Sequence, residues 1–101
     1  MNIKNMMTLS TVHIKENSCR FLNEQYFSGN LLVVYRKEMD GNVFGWFVLV
    51  EGWDDDDEEN ILKIPEDLRF CLEFAAEKNC SWLMFDGDCD ECDELPKYEM
   101  E

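Results

Sequence analysis

The sequence predicts an α+β protein of the ferredoxin-like kind, a βαββαβ two-layer sandwich in which two helices cover one face of a four-stranded antiparallel sheet. Three observations lead there. Strand-like alternation marks both ends of the ordered region, a strong hairpin signal sits in the middle, and a helix-spaced apolar pattern lies on either side of that hairpin. In the usual strand order, 4-1-3-2, strands one and three are central.

Residues 7–14, "MTLSTVHI", form the first expected strand, with Leu9, Thr11 and His13 on one face and Val12 and Ile14 on the other. "ENSCRFLNEQYF" follows as a short amphipathic helix: Asn17 or Ser18 caps it, Cys19, Leu22 and Tyr26 share a face, and Ser28, Gly29 and Asn30 end it. "LLVVYRKEMDGNVFGWFVLVEG" reads as two strands around Asp40, Gly41 and Asn42, residues that tolerate the positive φ of a tight hairpin. The second helix begins at Pro65, with Glu66 and Asp67 in its first turn. Its inward stripe is Leu68, Cys71, Leu72, Ala75 and Ala76, and Lys78 and Asn79 close it. "SWLMF" is the last strand.

The third strand is apolar on both sides: Phe44, Trp46, Val48 and Val50 point one way, Val43, Phe47 and Leu49 the other. Two helices can hide only one of these faces. The other is expected to be covered by a dimer mate, a partner protein or the chain's own tail, and a homodimer is the expectation.

A chain of 101 residues makes a single domain, 1–101, with an acidic loop at 54–59 and an acidic, partly ordered tail at 86–101. Charge is unevenly spread. Residues 1–50 carry five bases and four acids; residues 51–101 carry four bases against nineteen acids, a net of −15. That half of the chain is excluded as a direct binder of nucleic acid or of an anionic membrane, and its natural partner is a basic protein surface. The opening residues have no apolar core of signal-peptide length, and the longest apolar run is 43–50. The expected location is therefore the cytoplasm, where the five cysteines remain free thiols.

No catalytic constellation stands out, so a non-enzymatic role is expected and no cofactor is implied. The lone histidine, His13, has no nucleophile near it in sequence, and the five glycines form no phosphate-binding motif. "DGDCDECDE" (86–94) invites a metal reading. Asp86, Asp88 and Asp90 have the first three spacings of a calcium loop, but Glu91 stands where that loop needs glycine and Lys97 where it needs glutamate. Cys89 and Cys92 lack a second ligand pair for zinc, and the surrounding carboxylates oppose thiolate formation. A metal or redox role remains a minor alternative.

The carboxylates themselves are the candidate partner-binding residues. They are Asp54, Asp55, Asp56, Asp57, Glu58 and Glu59 in the acid run; Glu73 and Glu77 on the exposed side of the second helix, a side to which Glu66 and Asp67 are also assigned; and Asp86, Asp88, Asp90 and Glu91 near the end. Such clusters can imitate the charge of DNA, with Trp53, Trp46 or Tyr98 as aromatic anchors.

"TLSTVHI", "IPEDL", "CSWLMFDGD" and "LPKYE" resemble a family of short uncharacterised proteins encoded on plasmids, prophages and genomic islands of bacteria. Its pattern is Leu-Ser-Thr-x-His-Ile, Pro-x-Asp-Leu, Cys-x-Trp-Leu-x-Phe-Asp and Leu-Pro-x-Tyr, and the match covers about half of the chain. The acid run and "CDECDE" depart from it. The resemblance implies a mobile-element context in a bacterial host cell. It raises an expectation of an anti-CRISPR or anti-restriction inhibitor, acting as a DNA mimic on a nucleic-acid-binding complex. The alternative is a structural or regulatory module that works through the bare sheet face.

Overall fold

The computed structural model describes residues 5–29, 31–50, 62–87 and 89–98. Their order is β1 (Met6–Ser10), a 3-10 turn (Thr11–His13), α1 (Glu16–Ser28), β2 (Val34–Met39), β3 (Asn42–Leu49), α2 (Glu66–Glu77) and β4 (Trp82–Asp86). Among the described residues the fold is α+β, with a four-stranded sheet and two helices.

The strand order differs from the ferredoxin-like expectation. The sheet runs β1-β4-β3-β2 instead of 4-1-3-2, and β1 pairs with β4 in parallel while the other two pairs are antiparallel. The side chains give a reason. β4 is apolar on both faces, with Leu83 and Phe85 buried on one side and Trp82 and Met84 half-buried on the other. In β1 the second face carries Met6 but then Thr8 and Ser10, a more polar set that suits an edge. The greasier strand takes the interior place and β1 is displaced outward.

Both helices lie on one face. The register lines up Met7, Leu83, Val48 and Val34 across the four strands, then Leu9, Phe85 and Trp46 one row on. These pack with Leu22 of α1 and with Leu68, Cys71, Leu72 and Ala75 of α2 in one core. Ala76, assigned by its spacing to the inward stripe of α2, is exposed because it falls on the far side of Ala75.

β1 is shorter than the expected 7–14. The Ser10 hydroxyl accepts a hydrogen bond from the Val12 N–H at 3.2 Å and bends the backbone into the 3-10 turn, so His13 sits in a turn and not in a strand. α1 also starts earlier than its expected caps: Lys15 occupies the cap position, and Asn17 and Ser18 lie inside the helix. Gly29 ends it at φ 62°. The hairpin matches the sequence reading, with Asp40 and Gly41 at φ 53° and 80°, the mirror-image turn that suits strand twist. Gly45 is required by close approach, because a Cβ there would stand 1.8 Å from the Phe85 carbonyl oxygen.

Candidate functional site

The 3-10 turn, the start of α2 and the segment 89–98 meet at one end of the helix layer. His13, at the end of the 3-10 turn, is buried, and both ring nitrogens engage the main chain of the C-terminal segment. The Cys92 N–H donates to Nε2 at 2.9 Å, so Nδ1 carries the proton and donates to the Pro96 carbonyl at 2.8 Å. The Tyr98 N–H donates to the Val12 carbonyl at 2.7 Å, and Leu95 is buried in the core. In this way the Leu-Pro-x-Tyr residues are tied to the Leu-Ser-Thr-x-His-Ile residues, and the segment 89–98 is laid over the end of the core.

The Asp of Pro-x-Asp-Leu has a comparable duty. Asp67 is buried on the inward side of α2 and accepts from the Lys15 N–H at 2.6 Å and from the Ser18 hydroxyl at 2.7 Å, at the first turn of α1. It supplies from another helix the cap that Lys15 lacks. Asp86, last residue of β4, forms an ion pair with Lys37 of β2 at 2.7 Å across β3, where side-chain-less Gly45 leaves room. Three motif positions, His13, Asp67 and Asp86, therefore act on the fold itself.

The other described acids of α2 and of the terminal segment are exposed. Glu66, Glu73 and Glu77 are exposed on α2 at spacings of seven and four, so they form one stripe, with the half-exposed Phe70 among them. Asp90, Glu91, Asp93 and Glu94 are exposed on the terminal segment, where Lys97 bridges Glu91 and Asp93 at 3.3 Å each. These two carboxylates push the Lys97 ammonium above its ordinary value through their hydrogen bonds. Tyr98 shows how close the segment lies to α2: partial burial and then the charge of Asp67, with a smaller effect of Glu66, raise its phenol. The run Asp54, Asp55, Asp56, Asp57, Glu58 and Glu59, together with Trp53 and Asp88, lies outside the described residues. Trp46 is no surface anchor: it is buried, and its indole N–H donates to Asn23 Oδ1 at 2.9 Å.

A shallow hollow of about 360 Å³ lies beside the His13 turn, lined by Ser10, Thr11, Val12, Gly87, Cys89, Glu91 and Tyr98. Cys89 is directed at the Thr8 carbonyl, 3.8 Å away, whereas Cys92 packs on the core. Among the described residues no three His, Cys, Asp or Glu side chains converge as a metal site needs. Burial, followed by the charge of Asp67, lifts the Cys71 thiol to about 12 and the Cys19 thiol to about 11, so neither is a ready nucleophile.

The model of the family of unknown function DUF5983, C-terminal domain, matches residues 6–100. The chain belongs to that family. No curated protein and no solved structure matches it.

In this DUF5983 domain the second face of the sheet is left without a covering layer among the described residues. One row across it is Met6, Trp82 and Leu49, extended by Val33 through its carbonyl's bond to the Leu49 N–H; the next is Thr8, Met84, Phe47 and Tyr35. Neither row contains a charge. Among the described residues the uncovered face of β3 is the Phe47 and Leu49 side, since Trp46, Val48 and Val50 are in the core; Phe44, grouped with them by alternation, is instead exposed, because the register shift opposite it breaks the alternation. Sequence alone could not choose between the two faces, because both sets are equally apolar.

Proposed function

We propose that this DUF5983 domain is a non-enzymatic inhibitor that binds a nucleic-acid-handling complex of its bacterial host, of the anti-restriction or anti-CRISPR kind, by presenting carboxylates where nucleic acid would present phosphates. The observation that carries the reading is the stripe of Glu66, Glu73 and Glu77 around Phe70. Glu73 and Glu77 are separated by about 6 Å of helix rise and Glu66 and Glu73 by about 10 Å, close to the ~7 Å and ~10 Å of axial rise of two and three phosphate steps along one DNA strand. The acids steer association with a basic groove, and Phe70 supplies an apolar contact in their midst. The acids of the terminal segment, held beside α2 by His13, widen the same surface.

The test is a pull-down from bacterial lysate with the wild-type chain and with the triple variant Glu66→Gln, Glu73→Gln, Glu77→Gln as bait. A nucleic-acid-handling complex retained by the first and lost with the second supports the reading. Equal retention by both, or retention of nothing basic, removes it.

The open sheet face favours a second reading, a structural or regulatory module that docks through apolar surface. That reading expects Tyr35→Glu to abolish binding while the α2 triple variant leaves it intact.

A further inference from the structure

We propose that a second copy of this chain covers the face of the sheet that the described residues leave open, giving a homodimer with sheet packed on sheet and the acidic helix layers outermost. The proposal is independent of the inhibitor reading above, which concerns the opposite layer.

Three observations select this occupant. The first is that the face is apolar where a sandwich core would be apolar. Trp82, Leu49, Met84 and Phe47, from the two interior strands, stay half-buried at its centre. Met6 and Tyr35, at the two edges, are 48% and 56% exposed. The Tyr35 and Trp82 rings lie 6.1 Å apart, centroid to centroid, so aromatic surface is continuous across it.

The second is where the charge lies. In a chain of net charge −14, the two central rows of this face hold no charged residue, and the pair at its margin, Lys37 with Asp86, cancels. A basic partner finds nothing to attract it here. A second copy would be repelled through any surface bearing the acids of α2 or the terminal segment, but not through this one. Two sheets about 10 Å apart, each backed by a helix about 10 Å further out, place the two α2 helices roughly 30 Å from each other. Screening at physiological salt extends only about 8 Å.

The third is area. Four strands spaced about 4.8 Å and five to eight residues rising about 3.3 Å each make a face on the order of 400 Å² in projection, and more as accessible surface. Two such faces reach the ~1,000 Å² in total that a specific interface needs. The described part of the C-terminal segment does not compete for the site, because the His13, Val12 and core contacts hold it to the helix side.

Sedimentation equilibrium of the full chain tests this, with Tyr35→Glu and Met84→Glu as disrupting variants and Glu73→Gln/Glu77→Gln as the control on the other layer. The expected result is a mass of twice 12.0 kDa for wild type and control. Each disrupting variant should dissociate about a hundredfold more readily, with an unchanged circular dichroism spectrum. If Met84→Glu loses its fold, Tyr35→Glu at the sheet edge carries the test alone. Iodide quenching of Trp82 fluorescence, read against Trp82→Phe, should be weak in the dimer and strong in the Tyr35→Glu monomer. A monomeric wild type overturns the proposal, whether Trp82 is then quenched freely or is shielded by another segment of the chain. A dimer that survives both disrupting variants overturns it too.

Discussion

The Ser18 hydroxyl on α1 and the Asp67 carboxylate on α2, separated by 49 residues, lie 2.7 Å apart in the core, and the same carboxylate receives the Lys15 N–H. One buried acid thus satisfies the start of one helix from the inside of another. Because its partners stay behind when it is removed, Asp67→Ala is expected to destabilise the fold by about 3 kcal/mol, and Ser18→Ala by about 1 kcal/mol. Urea denaturation of the two single variants and the double variant gives the coupling. Additive effects would show that the contact is energetically idle.

His13 is expected to govern the C-terminal segment without governing the sheet. His13→Ala removes an acceptor for the Cys92 N–H and a donor to Pro96 and leaves a cavity, a loss of about 2 to 4 kcal/mol. Hydrogen exchange should accelerate at the Cys92 and Tyr98 amides well before it does at Trp46 or Val48. Uniform acceleration would mean that the segment is part of the same cooperative unit as the sheet.

Gly45 is the position in β3 where any side chain meets backbone. Gly45→Ala drives a Cβ against the Phe85 carbonyl, so β3 and β4 must separate at the point where Lys37 reaches Asp86. A loss of about 3 kcal/mol or more is expected in thermal or urea unfolding. A change below about 0.5 kcal/mol would show that the strands part without strain.

The thiols give a pH prediction. The Cys71 and Cys19 thiols rise from an ordinary value of 9.0 to about 12 and about 11. The native state therefore holds these protons more tightly than the unfolded chain does. The linked stability is complete below pH 9 and is lost as pH rises through 11 to 12. At pH 8 a soluble maleimide should label Cys71 and Cys19 only in denaturant. Rapid native labelling of Cys71 would contradict its burial.

Much of this fold was legible because it is local. The Asp40–Gly41 turn, the Pro65 start of α2 and the stripe Leu68, Cys71, Leu72 and Ala75 each depend on neighbours within a few residues. Strand order was not legible. It depends on whether β1 or β4 better tolerates an interior place, and the apolar second face of β4 only becomes decisive once both compete for β3. On sequence Asp67 reads as a helix-start acid on the exposed side of α2, as its place two residues after Pro65 suggests. Its inward placement beside Leu68, on the buried side of α2, was the one available sign of a different duty. His13 looked like a strand residue because the Ser10 side chain that bends the backbone there leaves no mark on hydropathy. Of the four acids expected on the exposed side of α2, Glu66, Glu73 and Glu77 lie there and Asp67 is buried, while Phe70 stands exposed among the three.

The measurement closest to the central claim is the affinity of the chain for the complex it retains, followed against salt with and without duplex DNA. DNA and the chain are expected to exclude one another. Affinity should fall steeply with salt, and the Glu66, Glu73, Glu77 triple variant should flatten that slope as well as weaken binding. Simultaneous binding of DNA and chain, with a salt slope the triple variant does not change, would contradict that claim.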